Sequence, residues 1–344
     1  MKKAAIIGQY GEGPNYLTGQ AVKTYFTANW MMRRFGKDQV EIVNTYGWKK
    51  HAFRLFASLF RAVRTCSNVM IFPAQHGVKV FPLAVSVINK LFHRRTFFVV
   101  IGGWLADFLK DHRAIRWAVK CFDGVCAETE SLVEQLRAAG VKNAWYLPNC
   151  RDYVKPPEKH LPDALPLKVC TYSRVTESKG IGDAVKICRK ANELLGGKVF
   201  QLEVYGMIAK DYEQTFERLC ASEADVMRYC GTKNADEALS VLQGQFALLF
   251  PTYYEGECFA GTTLDAFLSR TPIIANDWKY NGEVIRDGEN GFLYAFRDVD
   301  QAAEKLAALY RDPALYRAIQ EGCEQSARAY DSDAVFEKLT QEMA

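Results

Sequence analysis

No stretch of the sequence approaches the roughly 18 to 20 consecutive apolar residues that cross a bilayer. The longest candidate, FFVVIGGWLADFL, stops at Asp107. The N-terminal MKKAAIIGQYGEGPNYLTG carries two lysines and an apolar run too short for a secretory leader, broken at once by glycines and Gln9. These absences predict a chain that is not integral to a membrane. Cys-x-x-Cys spacing is also missing. The ten cysteines are scattered through apolar segments such as LKVCTYS and AVKICRK, the pattern of reduced, small hydrophobes in a cytoplasmic protein rather than of a disulfide framework. Histidine is scarce, with five in the chain, and neither His nor Cys clusters at ligand spacing, so no metal site is expected. The G-x-G-x-x-G dinucleotide fingerprint is absent too. The loop after the first apolar run has Gly8, Gly11, Gly13 and Gly19, but Pro14 and Asn15 follow where a helix should begin.

What is present is the composition of a folded, soluble α/β protein. The chain is 49% hydrophobic and 24% charged over 344 residues, a length that exceeds one core and suits two domains. Short β-rich runs (AAIIGQY, QVEIVNT, NVMIFPA, TFFVVIGG, GVCAET, AWYLPN) alternate with segments of helical period near residues 19–35, 49–65, 79–92, 104–120 and 130–140. Ser131 and Glu134 have the spacing of a capping box. Five of the eleven prolines fall within 148–166, which reads as a linker. A second series of strands then begins: LKVCTYS, FQLEVYG, VMRYCG, FALLFPT, TPIIAND and GFLYAF. The expected fold is two Rossmann-like, doubly wound parallel-sheet domains facing across a cleft. The expected limits are residues 1–155 and 166–325, with a helical segment, 326–344, packing back on the first domain. In such sheets ligands bind beyond the carboxyl ends of the strands, so loops after strands are where motifs should lie.

Charge is unevenly placed. Residues 1–160 hold 24 Lys and Arg against 11 Asp and Glu, while the remainder is net acidic. The segment WKKHAFRLFASLFRAVRTC, residues 48–66, sets Phe53, Phe56, Phe60 and Val63 at helical spacing among Lys49, Lys50, Arg54, Arg61 and Arg64. It reads either as a core helix with a basic outer side or as a contact with an anionic membrane. Nucleic acid is not expected as a partner.

Three loops carry candidate chemistry. In YSRVTESKGIGD, Arg174 and Lys179 converge on a helix start at Gly180, whose free N–H groups favour an anion. In PTYYEGECFAGTTLDAF, Gly261, Thr262 and Thr263 begin a helix that carries Asp265 in its first turn, with Glu257 in the preceding loop. In the first domain Gly11, Gly13 and Gly19 form either a bare turn or a flexible loop over a ligand. His76, in PAQHGVK, either points into the cleft or is an ordinary loop residue.

SRVTESKG, followed some eighty residues later by PTYYEGECFAGTTLDAF and TPIIANDWKYNGEVIRDGENGFLY, resembles the C-terminal half of the retaining glycosyltransferases of family 4, the group 1 glycosyltransferases. The resemblance implies the GT-B fold and a retaining, metal-independent, hexosyltransferase-type enzyme. Such an enzyme needs no cofactor and moves sugar from a nucleotide-diphosphate donor to a glycan or lipid-linked acceptor in cell-surface polysaccharide synthesis. It implies that Arg174 and Lys179 hold the diphosphate, Glu257 the transferred sugar and Asp265 the ribose. Gly206, Gly231, Thr232 and Gly261 would line phosphates or base. The cysteine pattern gives the expected location as cytoplasmic, and the membrane reading of residues 48–66 would place it at the inner face of the plasma membrane. Two features depart from the family: the second acid is Asp265 rather than Glu, and the first-domain loop that commonly holds a His reads IGGWLADF, with Gly102, Gly103 and Trp104 in its place. A non-catalytic nucleotide- or glycan-binding module, or a nucleotide-sugar epimerase of the same fold, is the alternative.

Overall fold

The computed structural model describes residues 1–11, 18–156, 158–159 and 164–343. Gly13 lies outside the described residues. The first six apolar runs form strands β1 (Lys2–Gly8), β2 (Val40–Asn44), β3 (Cys66–Phe72), β4 (Arg95–Val99), β5 (Gly124–Ala127) and β6 (Ala144–Tyr146). They build one parallel sheet in the order β2-β1-β3-β4-β5-β6. The helices between them are α1 (Gly19–Phe35), α2 (Ala52–Thr65), α3 (Phe81–Phe92), α4 (Leu105–Asp111), α5 (Arg113–Lys120) and α6 (Glu130–Ala138). Strands covered on both faces must be apolar throughout rather than alternating. Ala4 to Ile7 and Val69 to Phe72 are accordingly buried at every position.

The second series gives β7 (Leu167–Tyr172), β8 (Phe200–Tyr205), β9 (Met227–Tyr229), β10 (Ala247–Phe250), β11 (Ile273–Asn276) and β12 (Phe292–Tyr294). These form another parallel sheet, β12-β11-β10-β7-β8-β9. Its helices are α7 (Ile181–Leu194), α8 (Glu213–Ser222), α9 (Ala238–Gln243), α10 (Gly261–Leu268), α11 (Asn281–Val284), α12 (Val299–Arg311) and α13 (Pro313–Ala329). Helix α14 (Ser332–Glu342) follows.

Two compact units result: Met1–Asn149 with Ser332–Ala344, and Cys150–Asp331. The chain therefore passes from one unit to the other twice. Within the first unit, α14 is held by the Trp30 indole N–H, which donates to Asp333 at 2.7 Å, and by Trp30 against Phe336 with ring centroids 5.0 Å apart. At the start of the second unit, Arg151 N–H donates to the Tyr330 carbonyl at 3.2 Å, and Tyr153 N–H donates to the Asp331 carboxylate at 2.7 Å. The two passing segments thus run side by side where they enter the second unit.

Two local expectations are corrected, and an open alternative is narrowed. The segment 104–120 is two helices, because His112 leaves the helical region (φ −119°, ψ 73°) and its ring stacks on Phe108 at 3.8 Å. Helix α6 starts at Glu130 with Thr129 at the N-cap position, so Ser131 lies in the first turn and the Ser131/Glu134 capping box does not form. In α2 the buried face is Leu55, Leu59, Ala62 and Val63. Of the row Phe53, Phe56, Phe60 and Val63, which the sequence left open between core and membrane, only Val63 is buried, while the three phenylalanines face outward.

Candidate functional site

In the second sheet the strand order reverses between β7 and β10, since β8 and β9 lie on one side of β7 and β10 to β12 on the other. At such a switch point the following helices leave to opposite faces and open a crevice at the carboxyl edge. The loops carrying Arg174 and Glu257 follow these two strands.

Two glycines lock the loops together. Gly206, after β8, has φ 142°, and a Cβ there would lie 1.7 Å from the Ser173 carbonyl oxygen. Its N–H donates to the Gly231 carbonyl at 3.0 Å, while Val175 N–H donates to Met207 at 2.9 Å. The loops after β7, β8 and β9 are thereby joined, and Gly206 and Gly231 are neighbours. Thr232 follows them and is exposed. Gly180 is left-handed (φ 72°), and a Cβ there would meet the Pro251 carbonyl oxygen at 2.2 Å. Together with Tyr253 N–H donating to Ser178 at 2.8 Å, this presses the turn at Glu177–Lys179 against the loop after β10.

That contact brings two of the sequence-predicted residues together. Lys179 Nζ lies 2.5 Å from Glu257 Oε2, with both side chains nearly buried. The same carboxylate oxygen accepts from Thr252 Oγ1 at 2.7 Å. Beside the pair, the Tyr254 ring lies 5.1 Å from Lys179 Nζ and 5.6 Å from the Arg174 guanidinium carbon. Arg174 is exposed and has no carboxylate partner among the described residues. A cation held by a carboxylate and a second cation left open to solvent, both over an aromatic face, form a site that can accept an anion.

Asp265 is placed differently. Its Oδ1 accepts from Arg151 Nε at 2.8 Å, and both side chains are about nine-tenths buried. The guanidinium lies directly over Gly261, where a Cβ would come within 2.5 Å of Arg151 Nη2. Burial pushes the Asp265 carboxyl above the ordinary aspartate range, and the Arg151 charge and hydrogen bond pull the other way. At the start of α10, Thr262 Oγ1 is buried without a hydrogen-bond partner among the described residues, and Ala260 at the N-cap position supplies no side-chain cap. Thr263 is buried in the same turn. The helix start thus has unclaimed donors.

In the first unit the remaining candidates follow β1, β3 and β4, adjacent strands of that sheet. Gly11 is buried, and Gly19 opens α1 behind Thr18, whose hydroxyl accepts from Ala21 N–H at 3.2 Å. His76 is exposed in the turn after β3. Gly102 is left-handed (φ 81°), Gly103 is buried, and Trp104 caps α4 and packs edge-on against Phe108. Nearby, Lys23 and Glu128 form a buried ion pair at 2.5 Å that sequence reasoning did not find.

It also missed Arg151, Thr252 and Tyr254. The Tyr-Tyr-Glu-Gly run held a signal for Tyr254, because Gly256 permits the chain to fold over that ring: a Cβ there would meet it at 2.6 Å. No group of three or more His, Cys, Asp or Glu able to hold a metal occurs among the described residues, and all ten cysteines are free.

Residues 155–326 match the family model described as glycosyl transferases, group 1. A Bacillus subtilis protein named as a glycosyltransferase, EpsD, is 37% identical over 75 residues, which are 22% of this chain and 20% of EpsD. An exopolysaccharide phosphotransferase of Streptomyces coelicolor is 33% identical over 82 residues, 24% of this chain and 9% of that protein. The matched stretches thus span a fifth or less of either relative. Among solved structures, HepE of Anabaena in complex with UDP superposes with a TM-score of 0.75 at 13% identity, over 98% of each chain.

Proposed function

Because this chain belongs to the group 1 glycosyl transferases and has the GT-B fold, we propose that it is a retaining transferase that takes sugar from a nucleotide-diphosphate donor held in the second unit. The acceptor is a glycan or a lipid-linked glycan, and the setting is cytoplasmic polysaccharide assembly. The observation that carries the reading is the contact of Lys179 with Glu257 beside the uncommitted Arg174. A nucleotide sugar joins an anionic diphosphate to a neutral sugar through one bond, so a site for it needs a cation and a carboxylate side by side. The names of EpsD and the UDP complex of HepE point the same way.

The chemistry follows from these groups. As the bond between sugar and diphosphate breaks, negative charge grows on the leaving oxygen and positive charge on the sugar ring. Arg174, open to solvent, and Lys179, nearly buried beside Glu257, stabilise the first. Glu257, fixed by Lys179 and Thr252, faces sugar hydroxyls and the developing cation. The free N–H groups at the very start of α10 and the Thr262 hydroxyl donate to the diphosphate oxygens. Asp265, held by Arg151, meets the ribose. Retention results when the acceptor hydroxyl attacks from the face the diphosphate leaves and a phosphate oxygen takes its proton. Neither a protein nucleophile nor a metal enters that route.

A thermal-shift panel of UDP, GDP, ADP and CMP sugars tests the proposal. One nucleotide should raise the melting temperature, with about 2.7 kcal/mol of stabilisation at a hundredfold excess over Kd. Arg174→Ala and Lys179→Ala should abolish that shift. Glu257→Gln should keep it and lose transfer and donor hydrolysis. No response to any nucleotide refutes the reading, and binding without turnover in the unaltered chain identifies a non-catalytic module.

A further inference from the structure

We propose that α2, α3 and α5 of the first unit form one docking surface for an anionic lipid bilayer. The starting point is the outward row of α2. With Leu55 and Leu59 turned into the core, Phe53 is 88% exposed and Phe60 41%, although burial of an aromatic ring is strongly favourable. The row does not end with that helix. Helix α2 packs on α3, and α3 on α5. Phe60 meets Phe92 edge to face at 5.3 Å, and Lys90 Nζ lies 5.1 Å from the Trp117 ring. Val87 and Leu91 on α3, 57% and 71% exposed, and Trp117 on α5, 43% exposed, continue the apolar surface across all three helices. The surface is therefore wider than the stretch 48–66 that sequence periodicity singles out.

Charge selects the occupant. The three helices contain seven Lys or Arg and no Asp or Glu, and the exposed Lys49 and Lys50 precede α2. Glu41, on β2, is shared between Arg61 at 3.2 Å and Lys2, and exposed Asp111 ends α4 just before α5. Exposed aromatic and aliphatic side chains interleaved with long basic ones suit the boundary between acyl chains and anionic headgroups: the rings enter the apolar layer and the cations stay at the phosphates. A second copy of this chain in a two-fold contact would bring the same cations face to face. Nucleic acid would leave Val87 and Leu91 without an apolar partner.

The test is co-sedimentation of the full chain with vesicles of phosphatidylcholine alone or mixed with phosphatidylglycerol. Lipid binding is read without donor or turnover, so its outcome is independent of the transferase proposal. Binding should require phosphatidylglycerol and weaken with added salt. Phe53→Ser with Leu91→Ser, both at exposed positions, should lower vesicle affinity about tenfold. Arg54→Glu with Lys90→Glu should lower it at least as much. Unchanged melting temperatures show that both variants fold. Equal recovery in the supernatant with either vesicle overturns the proposal, as does phosphatidylglycerol binding that neither variant weakens. Tighter binding to duplex RNA than to the acidic vesicles, or a concentration-dependent dimer that either variant dissolves, also overturns it.

Discussion

Replacing Arg151 with methionine takes the guanidinium away from a carboxylate that is almost wholly out of water. The Arg151–Asp265 contact is 2.8 Å, with 8% and 11% of the two side chains exposed, so neither group can recover solvation when its partner goes. Removing one member of such a pair costs about 3 to 5 kcal/mol. At a urea slope of about 2 kcal/mol/M, the midpoint for the second unit should fall by roughly 2 M. Asp265→Asn alone should also destabilise, whereas the double variant should recover much of the loss, giving a coupling of about 2 kcal/mol or more. The pH dependence has a defined sign. Burial already raises the Asp265 carboxyl, and without Arg151 it rises further. A carboxyl raised on folding binds its proton more tightly in the folded state, so Arg151→Met should gain stability as pH falls and lose it as pH rises through the folded value. Urea unfolding of the four proteins at several pH values measures all of this. A loss under about 1 kcal/mol for Arg151→Met, or a coupling near zero, refutes the view that this pair holds Asp265 in place.

Two further outcomes follow from local geometry. Gly206→Ala should destabilise the second unit well beyond the about 1 kcal/mol of Gly231→Ala, because both backbones have positive φ but only the first Cβ collides with a carbonyl, at 1.7 Å. Comparable melting temperatures for the two variants would contradict the locked-loop account. Lys159 donates to the Leu242 carbonyl and the Thr271 hydroxyl, and burial lowers its ammonium to about 7. The unfolded lysine, with a pKa of about 10.4, then binds a proton the folded one lacks, so stability should rise with pH from about 7 to about 10. In Lys159→Met that slope should flatten, and an unchanged slope in the melting profile counts against the burial.

The twelve strands were legible because parallel strands buried on both faces are nearly continuous apolar runs that need no distant information. The loops of the second unit were legible for a related reason: topology puts each one at the carboxyl edge, and Arg174, Lys179, Glu257 and Asp265 are polar residues where strands end. Arg151 was hidden by distance, since its partner is 114 residues away and it sits in a segment whose prolines read only as a linker. The orientation of α2 was hidden because two interleaved rows, Leu55 with Leu59 and Phe53 with Phe60, share the same period. Periodicity alone therefore left the row of rings open between core and membrane, and only packing against the sheet tells the rows apart. The break at His112 depends on a ring stacking on Phe108, a contact no propensity contains.

The double passage of the chain between units sets an order of assembly. The second unit is one uninterrupted stretch, Cys150–Asp331, inserted into a first unit that resumes at Ser332. During synthesis the second unit can therefore complete its sheet while the earlier-made one still lacks α14. Until those residues emerge, the Trp30 indole has neither Asp333 nor Phe336 to meet, and a buried face of α1 stays open to a chaperone or to aggregation. Truncation after Asp331 should consequently injure the half of the molecule translated first and leave the half translated last intact.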